Sequence, residues 1–152
     1  MTNEAEINCN CSKNTECPVD GNCQTKNLIY QTTVNTNQLE KPETYVGLTA
    51  QTFKKRWDGH KSSIRNRNPK KSTTLSQHIW KLEDEQKDYT LDWKIVDRGH
   101  PFSPVTGICQ LCTKEKYWIV YKSNLATLNS RNEIASNCRH KYGALLKQQK
   151  FG

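Results

Sequence analysis

Residues 44–65 read TYVGLTAQTFKKRWDGHKSSIR, a stretch that changes from the pattern of a strand to the pattern of a helix. Its first five residues contain Tyr, Val and Leu, which favour an extended strand. Upstream, residues 27–34 read NLIYQTTV and are rich in β-branched residues. A polar connector separates the two runs, so together they predict a β-hairpin.

The second part of this stretch predicts a helix over about residues 50–65. Thr49 can serve as its N-cap, because a threonine hydroxyl accepts a hydrogen bond from an amide of the first turn. Phe53, Trp57 and Ile64 then fall on one helical face. The sequence therefore predicts a strand, a loop, a strand and a helix in immediate succession.

Arg56 and His60 lie four positions apart on this helix and are therefore neighbours on its surface. A guanidinium matches the oxygen geometry of a phosphate, and an imidazole titrates near neutral pH. The pair is suited to binding a phosphate and moving a proton. An ordinary helix surface that carries one Arg and one His is the alternative interpretation.

The rest of the chain predicts two further helices and one strand. Residues 66–71 break the first helix, and a second begins at Thr73 or Thr74. Residues 89–95 alternate between apolar and polar side chains, as a half-buried strand does, and residues 108–122 have helical periodicity. We therefore expect an α+β domain with a small three-stranded, largely antiparallel sheet flanked by helices.

Glu115 interrupts an apolar face of the third predicted helix. The other members of that face are Ile108, Leu111, Cys112, Trp118 and Ile119. A buried carboxylate needs a cation, a metal ion or several hydrogen-bond donors to compensate its charge. Glu115 is therefore a candidate metal ligand, and a salt bridge to a lysine at the rim of the face is the alternative.

The net charge of +8 is concentrated in two segments. Residues 54–71 contribute +7 and residues 114–152 contribute +6, whereas the remainder is acidic on balance. Clustered positive charge favours a polyanionic partner, although a solvated basic helix face gives the same pattern. No stretch has the apolar length of a membrane span, and the first ten residues do not resemble a secretory signal, so we expect a soluble, intracellular protein.

Seven cysteines are many for such a protein, and an odd number cannot all form disulfides. Residues 1–25 contain four of them in the spacing CxCx5Cx5C and few apolar residues, so we expect a zinc-binding segment there. Reduced thiols and disulfides are the alternatives. The four predicted ligands are Cys9, Cys11, Cys17 and Cys23.

A second zinc site could involve the CxxC pair at the start of the third helix. Cys109 and Cys112 would be its first two ligands, and Cys138 and His140 would complete it. The alternative is that Cys112 packs in the core, because it lies on the apolar face.

The order of these motifs resembles that of the GIY-YIG nucleases. The tripeptides LIY at 28–30 and YVG at 45–47 resemble the pair that names the family, although Leu28 replaces its first glycine. Arg56 and His60 match the family's essential Arg and the His or Tyr four residues later. Glu115 and Asn129 fall where the family has its metal-binding Glu and an Asn that closes the site.

The chain resembles in particular the endonuclease region of Penelope-like retroelements. The likeness covers residues 8–141 and implies an endonuclease domain at 26–142, followed by a basic tail at 143–152. With no reverse transcriptase segment in the sequence, we expect a fragment or a domesticated copy. The matching stretches are LIYQTTV, YVGLTAQTFKKRWDGHKSS, TTLSQHIWKLEDEQKDYTLDWKIV, CQLCTKEKYWI, LATLNSRNE and NCRHK.

The resemblance implies hydrolysis of a DNA phosphodiester with one Mg²⁺ or Mn²⁺ ion bound by Glu115. Arg56 would stabilise the charge that develops on the phosphorus oxygens. Tyr30 or Tyr45, assisted by His60, would accept a proton from the attacking water. Asn129 would position Glu115 or a phosphate, and one site per chain would make a nick that primes reverse transcription.

The resemblance also implies the partners: DNA, and the reverse transcriptase region of the same element. It places the protein in the nucleus, as a monomer or transient dimer. Rival hypotheses are a non-catalytic, zinc-containing nucleic-acid-binding module, an inactive element remnant and a small secreted disulfide protein. The residues expected to contact DNA are Lys54, Lys55, Lys61, Arg65, Arg67, Lys70 and Lys71.

Overall fold

The structure is a computed structural model that describes residues 9, 11, 16–37, 41–122, 124 and 126–129. Its strands are β1 (Lys26–Thr36), β2 (Glu43–Thr52) and β3 (Tyr89–Arg98). Its helices are α1 (Phe53–Asn66), α2 (Thr74–Asp84) and α3 (Gln110–Tyr121), with a short 3-10 turn at Pro69–Lys71. None of the described helices combines the length and the apolarity that crossing a membrane would require.

The three strands form one antiparallel sheet in the order β2-β1-β3, which confirms the expected α+β class. β1 is the central strand, so the predicted hairpin forms one half of the sheet. Tyr30 lies opposite Gly47 of β2 and Ile95 of β3, and Thr32 lies opposite Tyr45. Because side chains alternate along a strand, this register gives Tyr30, Thr32, Tyr45 and Gly47 the same face.

Helices cover both faces of the sheet. On the first face, Leu28 and Tyr30 belong to a buried cluster with Phe53 of α1 and Leu75 and Ile79 of α2. On the second face, Ile29 and Val46 pack with Leu111 and Ile119 of α3. Alternation along β1 and β2 thus separates the layer that contains Arg56 and His60 from the layer that contains Glu115.

The first helix begins three residues later than the sequence pattern predicted. Thr52 is the N-cap, and its side chain accepts a hydrogen bond from the amide of Lys55. The prediction of Thr49 as the cap was wrong, because β2 continues to Thr52, which lies opposite Lys26 of β1. Strand pairing therefore takes up residues that helical periodicity alone had assigned to the helix.

Helix α2 and strand β3 lie where their patterns predicted. Thr73 caps α2 in a reciprocal pair of hydrogen bonds with Ser76, and the predicted core residues Leu75, Ile79 and Leu82 are buried. The apolar face of α3 was correct apart from Ile108, which lies before the helix and is exposed. A register shift in β3 next to Ile95 turns Asp97 toward α3, where Lys114 and Trp118 donate to its carboxylate.

Candidate active site and metal-binding cysteine cluster

The Tyr30 hydroxyl is the centre of a small polar cluster inside the first layer. It forms a hydrogen bond of 2.6 Å with Nε2 of His60, and it accepts a hydrogen bond of 3.2 Å from Nε of Arg56. Tyr30 and His60 are buried, whereas Arg56 is half-buried. The Tyr45 ring lies 6.4 Å from the Tyr30 ring, centroid to centroid, so the structure brings together four of the six residues that the sequence singled out for catalysis. The guanidinium of Arg56 forms the side nearest to solvent.

Gly47 provides the space for this arrangement. A Cβ atom at Gly47 would lie 2.3 Å from the Tyr30 hydroxyl oxygen and 2.5 Å from the ring carbon that carries it. Separations this short are incompatible with a side chain, so the tyrosine can lie across β2 only where β2 has glycine. The sequence showed Gly47 only as the last residue of the YVG tripeptide. Its position opposite Tyr30 across the sheet explains why a glycine is needed there.

Aromatic rings enclose the polar cluster. The rings of Tyr45 and Trp93 lie 5.8 and 5.6 Å from the His60 ring, centroid to centroid, and Phe53 packs edge-on against Tyr30 at 5.9 Å. Sequence analysis had not assigned Trp93 to the site. Its position in the alternating pattern of β3 predicted that it faces the core, but the residues it would contact depend on the pairing of β3 with β1.

Burial and a neighbouring charge set the protonation of this cluster. Burial, aided by the positive charge of Arg56, lowers the pKa of His60 to about 3, so His60 is neutral near pH 7. Burial alone would lower the pKa of Arg56. Its contacts with the hydroxyls of Tyr30 and Tyr45 outweigh that effect and raise the pKa of the guanidinium, which stays charged. His60 therefore acts as a hydrogen-bonding partner, and Arg56 provides the positive charge.

Asn129 binds the backbone of the YVG segment. Its side-chain oxygen accepts from the Val46 amide and its side-chain nitrogen donates to the Val46 carbonyl, both at 2.8 Å. The Leu128 amide donates to the Thr44 carbonyl, and the Thr127 hydroxyl accepts from the Thr44 amide. Residues 126–129 thus cover the outer edge of β2, and the Asn129 amide holds the strand that carries Tyr45 and Gly47.

Glu115 lies half-buried on α3, between Leu111 and Ile119, which face the sheet. Its helix packs beside Val46, on the face of the sheet opposite Tyr30. Three parts of the molecule therefore meet at residues 45–47 of β2. Tyr30 and Arg56 approach from one face, Asn129 from the edge, and the helix that carries Glu115 from the other face.

Four cysteines near the start of the chain form a cluster that could hold a metal ion, as the sequence predicted. The sulfur atoms of Cys9, Cys11, Cys17 and Cys23 all lie within 4.8 Å of one another. The Cys9 and Cys23 sulfurs are 3.4 Å apart, and those of Cys11 and Cys23 are 3.9 Å apart. Four thiolates around one Zn²⁺ have neighbouring sulfurs about 3.8 Å apart.

None of the six cysteines that the structure describes forms a disulfide, so the thiols of the cluster are not paired in that way. Burial and the neighbouring sulfurs of Cys9 and Cys23 raise the pKa of the Cys11 thiol to about 12. Crowded thiols resist ionisation because their negative charges would repel one another. A divalent cation among them would remove that repulsion and bind the deprotonated sulfurs.

The cysteine segment is joined to the start of α1. The Lys54 amide donates to the Cys23 carbonyl at 2.8 Å, and the Phe53 amide donates to the Thr25 carbonyl at 2.9 Å. Cys23 also packs in the same buried cluster as Phe53 and Tyr30. Hydrogen bonds and packing therefore connect the cysteine cluster to the helix that carries Arg56 and His60.

For the second predicted zinc site, the structure places only half of the ligands. Cys109 is buried and precedes α3, and Cys112 is half-buried in its first turn. Both pack in the second apolar cluster. Cys138 and His140 lie outside the described residues.

The predicted DNA contacts fall into three groups, which are ion-paired, half-buried, and exposed without an ion pair among the described residues. Arg67 donates to Asp84 and Glu83 at 2.8 and 3.0 Å, so a phosphate contact would have to replace these ion pairs. Lys61 pairs with Asp58 at 3.4 Å and lies over the Trp57 ring. Lys54 is half-buried. The exposed members with no ion pair among the described residues are Lys55, Arg65, Lys70 and Lys71.

No protein-family model matches the chain, and no curated protein or solved structure matches it either. Tyr30, Tyr45, Arg56 and His60 lie on one face of the sheet, Asn129 binds the edge of β2, and Glu115 lies on the helix that packs on the opposite face.

Proposed function

We propose that the protein is a divalent-metal-dependent DNA endonuclease of the GIY-YIG type that nicks one strand. The cluster of Tyr30, Arg56 and His60 over Gly47 is the observation that carries this proposal. A phenol, a charged guanidinium and a neutral imidazole sharing hydrogen bonds are costly to bury for stability alone. Their arrangement suits the stabilisation of charge on a phosphodiester.

Arg56 is the proposed contact to the scissile phosphate. Among the four clustered motif residues it is the half-buried one, whereas Tyr30, Tyr45 and His60 are buried. Its Nε is engaged by Tyr30, which fixes the plane of the guanidinium. Fixed donors that face the developing charge lower the barrier because they need no reorganisation during the reaction. Tyr30 and His60 orient Arg56, and one of the two tyrosines, ionised to its phenolate, accepts the proton of the attacking water.

Glu115 is the proposed protein ligand of the catalytic metal. No group of three acidic, His or Cys side chains other than the cysteine cluster gathers among the described residues. One carboxylate fits Mg²⁺ or Mn²⁺, because these ions take their remaining ligands from water and substrate oxygens. When bound, the ion would supply charge stabilisation at the phosphate.

The cysteine cluster is proposed to hold structural Zn²⁺. Four thiols suit zinc. The Cys9–Cys23 and Cys11–Cys23 sulfur separations of 3.4 and 3.9 Å lie on either side of the value of about 3.8 Å for a tetrahedral site. Four protein ligands leave no open position for substrate. The zinc would therefore hold the start of α1 rather than take part in hydrolysis.

In the context of the proposed retroelement, the nick would leave a 3′ hydroxyl from which reverse transcription starts. This setting implies nuclear DNA as the substrate and the element's reverse transcriptase as a partner.

Nicking of a supercoiled plasmid with Mg²⁺ or Mn²⁺ tests the activity. We expect relaxed circles from the wild type and a loss of at least about 100-fold for Glu115→Gln, which keeps the shape and removes the charge. Glu85→Gln is the matched control. It makes the same chemical change at the C-cap of α2, where Glu85 pairs with Lys87. Wild-type protein that is folded and zinc-loaded but leaves the plasmid supercoiled would refute the proposal.

A zinc-containing nucleic-acid-binding module is the second candidate. The cysteine cluster and the exposed Lys70 and Lys71 of the 3-10 turn favour this module as well. This candidate does not explain the hydrogen bond that Nε of Arg56 donates to the Tyr30 hydroxyl. Plasmid binding without nicking, unchanged in Glu115→Gln, would select it over the nuclease.

A further inference from the structure

The outward face of α3 carries a pair of exposed tyrosines that the proposed hydrolysis does not use. Tyr117 and Tyr121 are 47 % and 75 % exposed, and their ring centroids lie 5.3 Å apart with 34° between the ring planes. Their spacing of four residues places them one above the other on the helix surface. Val120, 46 % exposed, lies beside them. Three adjacent exposed apolar side chains on one helix face require an explanation.

The charges around this face indicate its ligand. Lys116 lies one turn before Val120, and Lys122 follows Tyr121 and is exposed. Protein–protein interfaces are depleted in lysine, whereas lysines flank these rings on both sides. Aromatic rings with ammonium groups beside them match the bases and phosphates of a nucleic-acid strand.

We propose that this face of α3 binds single-stranded nucleic acid, with unpaired bases stacked on Tyr117 and Tyr121 and phosphates near Lys116 and Lys122. Duplex DNA is excluded from this mode, because its bases are already stacked on one another. Stacking uses the ring face and not the hydroxyl, so binding would tolerate any base. The inference is independent of hydrolysis, because it concerns the outer side of α3 and does not involve Glu115.

Binding of a fluorescein-labelled dT20 oligonucleotide, followed by anisotropy with no Mg²⁺ or Mn²⁺ added, tests this inference. We expect Tyr117→Ala and Tyr121→Ala each to weaken binding about tenfold, and the double variant about 100-fold. Tyr117→Phe/Tyr121→Phe should bind within about threefold of the wild type, because the rings remain. Val105→Ala, at a residue that is 94 % exposed outside this face, is the control and should bind as the wild type does.

Two outcomes would overturn the inference. The first is a Tyr117→Ala/Tyr121→Ala variant that binds dT20 as tightly as the wild type. The second is a wild-type dimer in sedimentation that this double variant dissociates, which would assign the face to a second copy of the chain. Circular dichroism of the double variant should match the wild type, because both side chains are exposed. A protein that fails to nick plasmid and still binds dT20 through these rings would separate this inference from the proposed nuclease.

Discussion

At the scale of single residues, the contact between Gly47 and Tyr30 is the tightest constraint in the proposed site. Gly47→Ala would place a Cβ 2.3 Å from the Tyr30 hydroxyl oxygen, so the ring must move away from Arg56 and His60. We expect this variant to lose about 1–3 kcal/mol of unfolding free energy, measured by urea denaturation, together with its activity. Gly47 is therefore a steric requirement of the cluster.

A second glycine provides the control. Apart from the adjacent residues and the backbone of its own helix, a Cβ at Gly59, in the middle of α1, would meet no atom within 4 Å. Gly59→Ala should therefore stabilise the protein by about 0.5–1 kcal/mol through helix propensity. Equal stability of Gly47→Ala and wild type would contradict the packing that we describe.

His60 gives the protein a specific dependence of stability on pH. Its pKa is about 3 in the folded protein and close to 6.5 when unfolded, so the unfolded state binds the proton first as the pH falls. The stability due to neutral His60 is complete above about pH 6.5 and decreases below it, by up to about 1.4 kcal/mol per pH unit. Between about pH 7.5 and pH 5, we expect urea denaturation to show a loss of about 2 kcal/mol from this residue.

His60→Gln, which cannot take up a proton, tests the assignment. This variant should be less stable than the wild type near neutral pH, because it loses the ring packing against Trp93 and Tyr45. Its stability should change less with pH than that of the wild type over the same range. Parallel pH profiles of the two proteins would show that His60 is not buried in its neutral form.

At the scale of secondary-structure elements, the cysteine segment acts as a support for the first turn of α1. Cys11→Ser should reduce the zinc content by one ion per chain, measured by mass spectrometry of the metal, and should lower the melting temperature. The destabilisation should extend to α1, because the carbonyls of Cys23 and Thr25 hold the Lys54 and Phe53 amides. Hydrogen exchange of these two amides reports on that coupling.

Cys112→Ser is the matched thiol control, because Cys112 lies on α3 and outside the cluster. The zinc of the cluster should remain bound in this variant. Full zinc content in Cys11→Ser, or amides at the start of α1 that exchange at the same rate with and without zinc, would contradict the supporting role.

Sequence patterns predicted the elements well where one physical signal dominated. The alternation in β3 and the helical spacing of Leu75, Ile79 and Leu82 placed these elements because burial alone determines them. The start of α1 was misplaced because Thr49 and Thr52 are both good caps, and only pairing of Thr52 with Lys26 selects between them. Local propensity does not contain that long-range information.

The same limit applies to the proposed site. The resemblance to the GIY-YIG motifs singled out Tyr30, Arg56 and His60, and the four cysteines stood out because the segment around them has few apolar residues. The roles of Gly47 and Trp93 depend on which residues lie opposite each other across the sheet, so spacing along the chain did not reveal them. The ion pairs of Arg67 with Glu83 and Asp84 equally depend on how α1 meets α2.

At the scale of the whole molecule, the net charge of +8 does not act as one uniform field. Four of the predicted DNA contacts are exposed and have no ion pair among the described residues. We expect their replacement by glutamine to reduce the number of phosphate contacts, which is read from the salt dependence of duplex binding, by about three to four. The substitutions are Lys55→Gln, Arg65→Gln, Lys70→Gln and Lys71→Gln. Fluorescence anisotropy of a labelled duplex at several salt concentrations measures the slope.

Arg67→Gln is the matched single-charge control. Its guanidinium is already paired with Glu83 and Asp84, so its removal should leave the salt slope nearly unchanged and lower the melting temperature instead. Arg67→Gln could instead reduce the salt slope of duplex binding as much as one of the four substitutions does when made alone. That result would show that the DNA contacts cannot be identified from which cations are exposed in the free protein.

The central claim is that residues from both faces and the edge of one strand form a phosphodiesterase site. Initial rates of supercoiled-plasmid nicking for wild type, Arg56→Lys and Arg65→Lys test this claim most directly. Lysine retains the charge at position 56 and loses the planar guanidinium that Tyr30 orients. We predict relaxed circles from the wild type and from Arg65→Lys, whose side chain is exposed on the same helix, and a rate at least about 100-fold lower for Arg56→Lys. Nicking by Arg56→Lys at the wild-type rate, or no nicking by the folded wild type, would contradict the account.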